Sequence, residues 1–156
     1  MAFFEKLLAA DPQNVELMVG LGMSATREAG RLSEQGAAGM MEAGKFAFQA
    51  REVFGKAIEL DGDHEAARLN RAVLGVYSPS FLRWHQQAEV DLNHLIKAQQ
   101  GRATENGAAP FVHLAELYRR TNRLEDAKRT LEEGLQRYPA EDRLRARLEA
   151  LRAEDG

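Results

Sequence analysis

Residues 109–139 read APFVHLAELYRRTNRLEDAKRTLEEGLQRYP. Leu114, Leu117 and Tyr118 fall at three- and four-residue spacing, and Leu124, Ala127, Leu131 and Leu135 repeat it. That is the apolar stripe of one helix followed by that of a second. Pro139 stands where the second stripe ends, as a residue that cannot continue a helix.

Eight positions of this stretch, Phe111, Leu114, Ala115, Tyr118, Ala127, Leu131, Gly134 and Pro139, match a known helix-pair signature. The segment resembles a tetratricopeptide repeat. Sliding the same template backward finds looser copies. NVELMVGLGMSA at 14–25 supplies Met18, Leu21 and Gly22 for a first helix, and FAFQAREVFGKAIELDGD at 46–63 supplies Ala50, Phe54, Ala57 and a stop at Gly62. HEAARLNRAVLGVY at 64–77 opens a further pair that Ala88, Leu92 and Leu95 close, although Arg68 and Gly75 stand where bulky residues are expected. FFEKLLAADP at 3–12 resembles the end of a second helix whose own first helix is missing.

The resemblance implies an all-α chain, an α-solenoid of antiparallel hairpins with about seven helices. As a single domain over 1–156, it divides into a half-repeat at 1–12, a repeat with a long hairpin at 13–62, repeats at 63–100 and 108–139, and a capping helix at 140–156. The helix-ending positions Pro12, Gly62, Gln100 and Pro139 are 50, 38 and 39 residues apart, against about 34 in the family. Most of the first excess lies between Gly22 and Ala50, where it either lengthens both helices by about two turns each or forms a loop. Gly30, Gly36, Gly39 and Gly44 all lie there and predict a break or a mobile tip. QQGRATENGAAP at 99–110 reads as a turn-rich linker, and Ser78 before Pro79 reads as an N-cap with a first-turn proline, ahead of a stripe at Phe81, Ala88, Leu92, Leu95 and Ile96. Leu144, Leu148 and Leu151 form the single apolar stripe of a terminal helix that covers the last repeat.

Composition narrows the function classes. The 156 residues are 44% hydrophobic and 29% charged, the balance of an ordinary globular domain. No apolar run is long enough to span a bilayer. Basic and acidic side chains number 21 and 24 and are mixed along the chain, which argues against a nucleic-acid surface. Cysteine is absent, so neither disulfides nor thiolate metal sites arise. The N-terminus has no basic lead-in to its short apolar stretch, so a cytoplasmic location is expected unless an export signal has been lost.

No constellation points to catalysis. Gly39-Met-Met-Glu-Ala-Gly44-Lys45-Phe46 approaches a phosphate-binding loop but puts Phe46 where a magnesium-binding hydroxyl is needed, with no strand before it. His85 with Glu89, and Asp91 with His94, are helical neighbours without a shared ligand face. Trp84 reads as packed between repeats, and Arg143, Arg145, Arg147 and Arg152, interleaved with acids, as a solvated helix face. No catalytic residue, metal or cofactor is expected.

In the resembled family, first helices line a concave groove that binds a segment of another protein. Carried over, the groove is lined by Glu16, Val19, Met23, Ala66, Leu69, Asn70, Val73, Ala109, Val112, His113, Glu116 and Arg120. Members that clamp acidic chaperone tails use lysines, arginines and asparagines on these helices. Only Asn70 matches, with Val19, Met23, Ala109 and His113 in other slots, so that role is not expected. The expected function is a non-catalytic module binding an apolar or amphipathic segment of a partner protein, with no nucleic acid and no membrane insertion. An alternative is a structural scaffold that forms homo-oligomers through the N-terminal half-repeat, whose Phe3, Phe4, Leu7 and Leu8 lack their natural neighbour. Either the chain begins partway through a longer protein or this face dimerises. A small-ligand carrier, with the long 22–50 hairpin folded over a cavity, is a third reading.

Overall fold

A computed structural model of the chain describes residues 1–99, 101–104 and 106–154. Among them are eight α-helices and no strand: α1 (Ala2–Ala10), α2 (Val15–Ser33), α3 (Gly36–Leu60), α4 (Glu65–Tyr77), α5 (His85–Ala98), α6 (Ala109–Arg120), α7 (Leu124–Arg137) and α8 (Asp142–Glu154), with a 3-10 turn at Ser80–Leu82. The fold class is the all-α helical repeat.

The repeat is visible in the backbone of the turns. At Asp11, Asp61 and Tyr138 the chain leaves a second helix with similar angles, φ of −137°, −135° and −128° and ψ of 79°, 94° and 67°. In each case the residue's N–H closes the last helical turn, on Leu7, Ala57 and Gly134 respectively, and three residues later an N–H returns to its carbonyl. Asn14 then caps α2, its side chain accepting from the Leu17 N–H at 3.1 Å. His64 does the same for α4 through Nδ1, 3.3 Å from the Ala67 nitrogen. The corresponding stop expected at Gln100 lies outside the described residues.

The chain resolves into two compact units, Met1–Leu74 and Gly75–Gly156. In the first, α2 and α3 form the long hairpin, so the extra residues lengthen both helices. The expected break is the turn at 34–36, which Gly36 closes at φ +81°, a left-handed conformation that only glycine enters without strain. Met18, Val19, Ala25, Ala50, Phe54, Ala57 and Ala67 make the core, and Met1, Leu8, Phe46, Val53 and Leu74 pack around it. α1 docks on α2 with the Phe4 ring over Gly20, where a methyl group would collide with it. Phe4 and Leu8 are thus half-buried within the chain, whereas Phe3 stays 67% exposed.

In the second unit α5, α6, α7 and α8 each neighbour the next. Leu92, Phe111, Leu117, Leu131 and Leu144 are fully buried, and Leu148 and Leu151 complete the stripe that α8 lays on α7. Trp84 is buried. Two local expectations are corrected here. Ser78 is no N-cap: its hydroxyl donates back to the Gly75 carbonyl at 2.7 Å, and Pro79 leads only into the 3-10 turn. Phe81 accordingly lies outside α5 and is 79% exposed. The cause is Arg83 at φ 58°, which reverses the chain before α5 starts at His85.

Candidate interaction surfaces

Each unit presents its own first-helix surface. In the first unit, α2 and α4 carry Glu16, Val19, Met23, Ala66, Leu69, Asn70 and Val73. Met23 and Ala66 are exposed, Leu69, Asn70 and Val73 are half-buried, and Val19 is buried beneath them. Asn70 donates to the Ala66 carbonyl at 2.8 Å. Glu16 accepts from His64 Nε2 at 3.0 Å, which ties the start of α2 to the cap of α4. The accessible apolar residues here are Met23 on α2 and Ala66, Leu69 and Val73 on α4.

The second unit brings together Ala109, His113, Glu116 and Arg120 of α6, Tyr77 at the end of α4, and Arg143 and Arg147 of α8. Val112 is buried at 4% exposure, so it supports this surface from below. Glu116 is also buried, yet ionised. Arg119 grips its carboxylate twice, at 2.8 and 3.0 Å, and Arg147 reaches it at 3.1 Å. The Arg119 hydrogen bonds hold the Glu116 carboxyl below the usual carboxylate range against the opposing effect of burial. A cleft of about 210 Å³ opens beside this group, lined by Ala115, Glu116, Arg119, Leu131, Arg147, Ala150, Leu151 and Glu154.

His113 stands between these groups. Its ring meets Tyr77 edge-on at 6.2 Å, and the Arg120 guanidinium lies 5.7 Å from the centre of the Tyr77 ring. Burial, then the charges of Arg147 and Arg143, push the imidazole pKa down, so His113 is neutral at pH 7. Its Nδ1 is buried with no hydrogen-bond partner.

The arginines of α8 are not all surface decoration, contrary to their reading as a solvated face. Arg147 spans to Glu116 and Arg152 to Glu132, while Arg143 and Arg145 stay local, on Glu141 and Asp142. A signal was present: 143 and 147 lie one turn apart on the side of α8 next to its leucine stripe, as 109, 113, 116 and 120 do on α6. His85 donates to the Ser78 carbonyl, and Glu89 accepts from Tyr118 and Arg123. Among the described residues no group of three His, Cys, Asp or Glu side chains is placed to hold a metal ion, and no helix is long and apolar enough to cross a membrane.

These helix pairs define the class by fold: a tetratricopeptide-type helical repeat. The family model described as Tetratricopeptide repeat matches residues 108–141, so that segment is a tetratricopeptide repeat. A thermophilic tetratricopeptide protein of Thermus thermophilus is similar in fold, with a TM-score of 0.71 at 20% identity over 95% of this chain and 69% of that one. The tetratricopeptide domain of Arabidopsis OM64 is similar with a TM-score of 0.57 at 16% identity, over 88% of this chain and 98% of that one. No curated protein matches the sequence significantly.

Proposed function

We propose that the chain binds an apolar or amphipathic segment of a partner protein on its first-helix surfaces. The observation that supports this is that the protein's own core leaves Met23, Ala66, Leu69 and Val73 accessible while Ala25 and Ala67 on the same two helices are fully buried. Accessible apolar side chains are those that lose water when a partner arrives. Replacing Leu69 with Glu puts a charge into that contact, and binding of the partner should weaken by about 1–3 kcal/mol with the helices intact by circular dichroism. Equal binding by folded Leu69→Glu, or a larger loss from Arg145→Glu on α8, overturns this reading.

A second reading, a scaffold that pairs with its own kind, is favoured by one observation: Phe3 and Leu7 remain exposed on α1 after Phe4 and Leu8 have docked. Light scattering across a concentration series tests it, with Phe3→Asp expected to abolish any association.

A further inference from the structure

We propose that the surface formed by Tyr77, His113, Arg120, Arg143 and Arg147 takes an aspartate or glutamate side chain of a partner protein. This deepens the partner-binding reading above and rests on it for the source of the carboxylate. All five residues lie in the second unit.

Three observations converge. Cationic groups outnumber their partners: Arg119 and Arg147 share the one carboxylate of Glu116, and Arg143 is matched by Glu141 at 2.7 Å. Arg120 is exposed and forms no ion pair among the described residues, its guanidinium being laid over the Tyr77 ring instead. His113 keeps a buried nitrogen without a partner beside these charges.

A carboxylate supplies what is missing. It accepts from Arg120, and its charge offsets those of Arg147 and Arg143, which add to the burial that keeps the imidazole neutral. The groups facing His113 are Tyr77 from α4, Glu116 from its own helix, and Arg143 and Arg147 from α8. Glu116 is committed to Arg119 and Arg147, so the incoming acid does not displace it. Binding and protonation of His113 are then coupled, and a carboxylate binds more tightly as the pH falls through the His113 titration.

The test follows the His113 imidazole by NMR through a pH titration with a decaglutamate peptide, with decaglutamine and inorganic phosphate as controls. Decaglutamate should raise the His113 pKa and decaglutamine should not. Affinity for decaglutamate should fall about tenfold in Arg120→Gln, the effect of losing one charge-assisted hydrogen bond. Arg120 is exposed, so that variant keeps its fold, and Arg145→Gln serves as the neutral control. A His113 titration unmoved by decaglutamate, moved equally in Arg120→Gln, or moved as far by phosphate overturns the proposal. The readout does not involve Leu69: loss of partner binding in Leu69→Glu with an unmoved His113 leaves the groove reading standing and rejects this one.

Discussion

At Glu116, which is buried, and His113, which is half-buried, two polar groups meet opposite fates. Glu116 is ionised because Arg119 and Arg147 hydrogen-bond its carboxylate, and His113 is neutral because burial and two arginines oppose its charge. The sign of the pH dependence follows for His113. Its folded pKa lies below the unfolded value, so the unfolded chain takes up the proton first. Its contribution is intact above the unfolded pKa, about 6.5, and is lost as pH falls from there toward the folded value. Urea unfolding at pH 7.5 and pH 5 should therefore show wild type losing more stability than His113→Phe. Equal losses would falsify the neutral assignment. Gly22 gives a second expectation at this scale. The Phe54 ring lies where its side chain would be, so Gly22→Val forces one of them to move and should cost about 1–3 kcal/mol in chemical denaturation.

Among the elements, α1 separates two faces that its spacing alone does not distinguish. Phe4 sits on Gly20 and Leu8 against the first core, so Phe4→Asp should lower the melting temperature of the monomer itself. A half-buried aromatic contributes on the order of 1 kcal/mol or more, and a melting temperature unchanged by Phe4→Asp would show α1 to be frayed. Phe3 is 67% exposed and meets Phe4 only edge-on at 5.4 Å, so Phe3→Asp should lower the melting temperature of the monomer by less than Phe4→Asp. α8 plays the covering role at the other end: Leu144, Leu148 and Leu151 are all buried, and Leu148→Asp should detach the helix and raise amide exchange in α7.

For the whole molecule, the two units have separate cores, the first built around Phe54 and the second around Phe111, Leu117 and Leu131. Repeat arrays hold together through neighbour contacts, so damage stays local. Phe54→Ala, a loss of about 3–5 kcal/mol in a packed core, should accelerate amide exchange across residues 1–74 more than across residues 75–154. A uniform acceleration would show instead that the chain unfolds as one cooperative block.

The helical periods, the repeat register at Pro139 and the covering stripe of α8 were legible in the sequence, because they depend on spacing within a single helix. So was the lengthening of the 22–50 hairpin, up to the choice between longer helices and a loop, which packing of α2 on α3 decided. Other features depend on which surfaces meet. Val112 lies beneath the second surface, Phe4 is covered and Phe3 is not, and Arg147 reaches a carboxylate 31 residues away. The left-handed turn at Arg83, which removes Phe81 from α5, belongs with them. Period places a residue on a face, whereas burial, ion pairing and an unsatisfied nitrogen such as that of His113 arise only when one face is set against another.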